Sequence, residues 1–461
     1  MLKKLYYRMR CWFKRLSGAY RTNILIGLAV VVCLHLLVRS TFVQGALNYV
    51  YDLVVLEDAI NYANQYAKEM SSGKQSETEN SRKICFIDLA EEFSNSKGWG
   101  GFVPRNHLAD CLRVAAEQGA KVVVLDVLLE HSSTDPAHDK LLLQELERLT
   151  RENSNLNIIF PVTMLPDKSG PRPNIADSII DANPKFYRAI PVSGGSDSDG
   201  RTRFIRYFEN FQGPAGKQDI LWSVSFLAAA LHAGKTRQLD TLKKSILAGL
   251  GQDLNGWWPQ EHSFPINNHS EIILSHDDRL HDRIRYRMIP PQVLGKEHGG
   301  TLGLEDRLLS ETLPYLGASM RGKIVLLGSS ASHLDDVHTT GIGSMAGIYV
   351  LGNAINTLVE GLQVRNRLSW DLFVEFSFIL FIAWLLLWCP PVFLETGSVL
   401  FLLVVMVPLM ARMLNIGIFI PMPFLFVDVG LLCLILDLKE ESKCFLRSEK
   451  WLKFRSLFFC A

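Results

Sequence analysis

Apolar residues crowd into the two ends of this chain of 461 residues, while residues 52–365 between them have the mixed make-up of a soluble protein. No motif constrains the fold as strongly, because uninterrupted apolar segments of span length belong in hydrocarbon and a charge-balanced middle belongs in water. The first acidic residue is Asp52. Ahead of it stand Lys3, Lys4, Arg8, Arg10, Lys14, Arg15 and Arg21, and then an apolar run over residues 24–38. A basic flank before an apolar run stays in the cytoplasm, so we expect a cytoplasmic leader at 1–23 and a membrane helix at 24–43. The core of that run is about 22 Å long and extends to Val43 if Arg39 snorkels to the outer interface. Arg39 also occupies the place where a cleaved signal peptide would need small residues.

Three further apolar stretches, roughly 372–388, 398–411 and 416–436, are divided by Cys389-Pro390-Pro391 and Met413-Leu414-Asn415, both turn-like. We therefore expect three spans within 366–436 and a cytoplasmic tail at 437–461, in agreement with its Lys439, Lys443, Arg447, Lys450, Lys453 and Arg455. This places the protein in a bacterial inner membrane as a multi-pass chain, with residues 44–365 on the periplasmic or extracellular side. His35, Glu375 and Asp428 fall inside the expected spans, where they are expected to face other helices or interfacial water.

The net charge of +1 excludes a global attraction to nucleic acid. The basic leader, with Tyr6, Tyr7 and Trp12, suits anionic lipid headgroups instead. Of eight cysteines none forms a CxxC pair or a metal-type Cys/His spacing. Cys85 and Cys111 stand in the soluble region, either as a disulfide or as two buried thiols. No cofactor or metal is expected.

From Lys83 onward, short apolar runs alternate with helical patterns. Residues 84–89, 121–129 and 157–165 read as strands, and 106–118 and 135–149 as helices. Pro104 opens the first of these helices and Gly119 stops it. Strands at 201–208, 283–289 and 323–327 and helices at 222–233 and 345–358 follow, and a helix over 47–70 leads out of the membrane. Alternation of this kind means crossover units, hence an α/β domain with a mostly parallel sheet.

The order of short motifs then becomes informative. Asp88 closes the first strand, and Pro104-Arg105-Asn106-His107-Leu108-Ala109 opens the helix. Gly119-Ala120-Lys121-Val122-Val123-Val124-Leu125-Asp126 follows, then an acidic stretch with Asp135 and Asp139. Later come Asp197-Ser198-Asp199-Gly200-Arg201-Thr202-Arg203, Gly322-Lys323-Ile324-Val325-Leu326-Leu327-Gly328 and Asp336-Val337-His338-Thr339-Thr340. The series ends at Gly347-Ile348-Tyr349-Val350-Leu351-Gly352-Asn353-Ala354. This series resembles the class-two CHASE domain, the extracellular sensing domain associated with cyclases and histidine kinases, over roughly residues 52–365. The three closing spans match that family's layout too. Two departures stand out: the family typically has Thr-Pro where Thr340-Gly341 stands and His-Ala where Leu351-Gly352 stands. Family members usually continue into a cyclase, a kinase or a cyclic-dinucleotide synthase, and the short tail at 437–461 carries no such signature. The resemblance thus implies a receptor-like protein, not an enzyme, that binds a ligand or partner protein and signals through its spans to a separate output partner. A structural subunit of an envelope complex is the alternative. Whether it is a homo-oligomer stays open.

Candidate binding residues follow from the sheet. Asp88 and Asp126 end neighbouring strands, the edge at which ligands bind in open α/β sheets, and Arg105 and His107 begin the helix between them. Asp335, Asp336 and His338 follow the last strand and can line the same edge. Two carboxylates, a guanidinium and an imidazole suit a polar ligand or a cation; alternatively Arg105 pairs with Asp88 or Asp126 and only fixes the loop. Gly328-Ser329-Ser330-Ala331-Ser332 approaches the Gly-x-Ser-x-Gly elbow of hydrolases, but Ser332 replaces the second glycine and no triad spacing accompanies it.

Overall fold

The computed structural model describes residues 49, 51–62, 64, 83–89, 104–152, 155–191, 200–213, 216–250, 262–266, 271–274, 283–286, 320–330, 336–363 and 412. Apart from Arg412, the expected spans at 24–43 and 366–436, with His35, Glu375 and Asp428, lie outside the described residues, as do the leader and the tail. No helix among the described residues is long and apolar enough to cross a membrane. The chain divides into two compact units, and the larger covers Val55–Arg365 and Leu414–Gly417. It contains all the numbered strands and helices below.

In chain order its strands are β1 (Ile84–Asp88), β2 (Val122–Leu125), β3 (Asn157–Pro161), β4 (Phe186–Ala189), β5 (Phe208–Gln212), β6 (Gln218–Trp222), β7 (His262–Pro265), β8 (Glu271–Leu274), β9 (Ile324–Gly328), β10 (Val337–Thr340) and β11 (Gly343–Ala346). The helices are α1 (Arg105–Glu117), α2 (Pro136–Arg151), α3 (Asp177–Ala182), α4 (Val224–His232), α5 (Thr236–Leu250) and α6 (Gly347–Val359). Residues 55–62 are helical as well. The main sheet runs β1-β9-β2-β3-β4, and every pairing in it is parallel. The α/β reading with a mostly parallel sheet therefore holds. β9 inserts between β1 and β2, so the C-terminal ends of three strands meet where the chain order breaks. Hairpins β5–β6, β7–β8 and β10–β11 are additions at the periphery of this plan.

Burial on both faces explains the near-continuous apolar strands. On one side Cys85, Ile87, Val123, Leu125, Ile158, Phe160, Val325 and Leu327 pack with Leu108 and Leu112 of α1 and Leu142 and Leu146 of α2. On the other, Phe86, Val124, Ile159 and Leu326 are buried too, and α4 packs on β2, β3 and α6. Each such side chain contributes roughly 1.5–3 kcal/mol. Cys85 and Cys111 are both buried, and no disulfide joins them. Burial, helped by the charge of Asp110, pushes the Cys111 thiol up to about 12.

Local signals place the helix ends. Gly119, at φ +74°, ends α1. Its N–H donates to the Ala116 carbonyl at 3.0 Å and that of Ala120 to Ala115 at 2.9 Å, a closure that needs a left-handed residue at just this position. Pro136 opens α2 and the Asp135 side chain accepts from the Ala137 N–H at 2.9 Å.

The expected strand over 201–208 does not form a ladder. Thr202 bridges Thr340 in parallel, Phe204 bridges Arg283 antiparallel, and only Phe208 belongs to a strand. Alternate residues of the run thus bond to different neighbours, and no single partner strand accompanies it. The strand expected over 121–129 stops at Leu125, because from Asp126 the chain turns along the sheet edge.

Candidate functional site

Parallel strands present their carbonyl ends to one edge, and there β1, β9 and β2 stop side by side. Asp88 is in register with Gly328, the Leu89 N–H donates to the Gly328 carbonyl at 2.8 Å, and the Asp126 N–H donates to that of Leu327 at 2.7 Å. Asp126 therefore begins its course pinned to the end of β9. Gly328 makes room for it: a Cβ there would come within 2.7 Å of the Asp126 Cβ and 3.1 Å of Ile348 Cδ1. The side chain of Asp88, like Asp335, lies outside the described residues.

A second glycine admits the next acid. The Gly347 N–H at the start of α6 donates to the Asp336 carbonyl at 2.8 Å, and a Cβ on Gly347 would stand 2.0 Å from Asp336 Oδ2. The Asp336 carboxylate thus lies against the amino end of α6, where the helix dipole favours negative charge. From there the contacts continue to His338, whose Nε2 is 3.1 Å from Asp336 Oδ1 and whose Nδ1 is 3.4 Å from Thr202 Oγ1. Thr202 itself is buried and tied to the hairpin through its N–H, which donates to the Thr339 carbonyl at 2.7 Å.

The charges respond to one another. The hydrogen bond to Asp336, together with the negative charges of Asp336 and Asp126, raises the His338 imidazole above its ordinary value against the opposing effect of burial. Burial, then the charge of Asp336, pushes the Asp126 carboxyl from 3.8 up to about 7, with the charge of His338 pulling the other way. The Asp126 carboxyl and the His338 imidazole therefore each respond to the other's charge and to that of Asp336. Chemically this edge can donate or accept hydrogen bonds to a polar ligand and change charge when it does so. Among the described residues no three His, Cys, Asp or Glu side chains are grouped to hold a metal ion.

The residues named from sequence thus separate. Asp126, Asp336 and His338 share one electrostatic neighbourhood. Arg105 turns away from it: its guanidinium pairs with Asp139 at 2.5 Å and with the carbonyl oxygen of His131, and not with Asp126. It ties α1 to the start of α2, where Asp139 also accepts from the Ser133 N–H at 2.8 Å. His107 stands two residues further along α1, half-buried. Ser329 of the elbow-like segment donates its hydroxyl to the Leu89 carbonyl at 2.5 Å, which links β9 to β1. Sequence reasoning missed Thr202, whose partner is 136 residues away, and the two glycines that make room for the acids.

The Leu351-Gly352 departure also finds its reason here. A Cβ on Gly352 would come within 2.3 Å of the Phe86 ring and 3.2 Å of Leu326 Cδ1, so with Phe86 in place α6 must carry glycine to lie on the sheet. No curated protein and no solved structure matches the chain. The model of the CHASE2 domain does, over residues 28–391. That match spans well over half of the chain, and the protein belongs to the CHASE2 family of extracellular sensory domains.

Proposed function

We propose that this protein is a membrane-anchored sensor whose α/β body lies on the outer side, takes up a ligand or partner protein, and passes the event through spans to an output partner inside the cell. The CHASE2 match over residues 28–391 carries this reading. The basic leader and the apolar runs at both ends support the anchoring, and the acid–imidazole edge at the ends of β2 and β9 supports binding. That edge acts by recognition, not by bond cleavage: its groups exchange protons and hydrogen bonds, and the Ser329 hydroxyl is committed to the backbone of Leu89.

A ligand changes such a protein only by binding two of its arrangements unequally. The test is thermal unfolding of the full chain in mild detergent against panels of small polar metabolites, amines, organic acids and simple ions. At least one class is expected to raise the midpoint in a concentration-dependent manner, with the rise abolished by Asp126→Asn. No stabiliser in any panel, together with stoichiometric copurifying envelope proteins, would instead favour a structural subunit.

A further inference from the structure

The larger unit begins at Val55 and ends, before the C-terminal apolar stretches, at Arg365. Close to each of these boundaries a residue meets the same buried arginine. Asp58, in the helical segment 55–62, pairs through Oδ2 with the Arg285 guanidinium at 2.7 Å; the two side chains are 3% and 0% exposed. The backbone N–H of Arg285 donates to Thr357 Oγ1 on α6 at 2.9 Å, and the Thr357 hydroxyl in turn donates to the Asn353 carbonyl at 2.8 Å. One residue therefore joins the segment by which the chain enters the body to the helix by which it leaves.

Arg285 is also joined to the candidate site. The N–H of its neighbour Ile284 donates to the Arg203 carbonyl at 2.7 Å, and the Tyr286 hydroxyl donates to the Thr202 carbonyl at 2.6 Å. Thr202 contacts His338, and His338 contacts Asp336 at the start of α6. Short bonded steps thus run from the sheet edge to Arg285, while α6 spans the same interval as a rigid rod from Gly347 to Thr357. A buried carboxylate–guanidinium pair defines one arrangement sharply, because sliding the partners apart costs two desolvated charges their mutual hydrogen bond. Such a contact favours discrete states over gradual deformation.

We infer that the Asp58–Arg285 pair, with Thr357, is the clasp through which a change at the Asp126–Asp336–His338 edge reaches both ends of the body together. This rests on the sensor reading for its purpose. The clasp itself is a property of the body and is tested without reference to membrane topology or ligand. The full chain in detergent is compared by hydrogen exchange in wild type, His338→Gln, Asp58→Asn/Arg285→Met, and the triple variant. Removing both charges avoids leaving a lone buried ion.

His338→Gln is expected to speed exchange several-fold in residues 55–62 and 353–359 alike, with β2 and β9 unchanged. In the Asp58→Asn/Arg285→Met background, the same substitution should have no further effect on 55–62. An undiminished response there would overturn the inference, as would a His338→Gln effect confined to β10 and β11. Should the double variant not fold, Thr357→Val decides: it keeps the shape, removes the acceptor of the Arg285 N–H, and should cut the response of 353–359 at least threefold. An unaltered response in Thr357→Val contradicts the clasp. If the clasp fails these tests while ligands still stabilise the protein, the sensor reading stands and only the route falls.

Discussion

Two places on the same sheet couple two carboxylates to one basic side chain, and they differ in which side chain it is. At β4, Arg188 reaches Asp177 at 2.8 Å and Asp181 at 2.5 Å. The guanidinium is charged at every physiological pH, its hydrogen bonds hold Asp181 below its usual range, and the cluster simply binds α3 to the sheet. At the ends of β2 and β9, His338 contacts Asp336 and senses the charge of Asp126, and imidazole carries its charge conditionally. Burial, and then the charge of Asp336, pushes the Asp126 carboxyl up to about 7. Exchanging guanidinium for imidazole turns a fastening into a group that can report on its surroundings.

The largest effect should come from removing the space that permits the central cluster. Gly328→Ala forces a Cβ against Asp126 and Ile348, and overpacking of this kind costs about 1–3 kcal/mol. Chemical denaturation should show that loss, whereas an equally small enlargement at the β4 cluster should not.

Next in size is opposite pH dependence. His338 is raised in the folded protein, so the stability it adds is whole below its ordinary value and is lost as pH climbs through the raised one. Asp126 acts in the same sense: the fold favours its protonated form, and that advantage fades between 3.8 and about 7. Asp181 is lowered, so its contribution is present above its ordinary value and is lost on acidification. Unfolding across pH in Asp126→Asn should therefore lose part of the decline toward alkaline pH. In Asp181→Asn, part of the decline toward acid should vanish.

A finer change is expected within the central cluster. His338→Gln removes the positive charge that lowers Asp126, so the Asp126 carboxyl should titrate still higher, visible by carboxyl carbon chemical shifts. His338→Arg should move it down and make the centre behave like β4. Smallest of all, Arg188→Ala breaks pairs that water already screens and should cost below about 1 kcal/mol. A larger loss would mean that the β4 cluster does more than fasten a helix.

Much of this was legible in advance. Strands buried on both faces stand out as apolar runs, Pro104 and Gly119 bracket α1, and strand-terminal acids mark the carboxyl edge of the sheet. The insertion of β9 between β1 and β2 was not legible, since nothing local in Lys323-Ile324-Val325-Leu326-Leu327 specifies its neighbours. Arg105 misled for a physical reason: its long side chain reaches past the sheet edge to Asp139 in the first turn of α2 and not to Asp126. Thr202 escaped because it lies in a polar turn-like segment whose value comes from a partner far along the chain. The buried Arg203, Arg283 and Arg285 escaped because charge in sequence reads as surface.

Placement of the body across the membrane from the basic leader is the claim on which the sensor account depends most. Fusing alkaline phosphatase, and in a parallel strain β-galactosidase, after Gly200 tests it directly. The account predicts an active phosphatase and an inactive galactosidase; an active galactosidase with a silent phosphatase would contradict it.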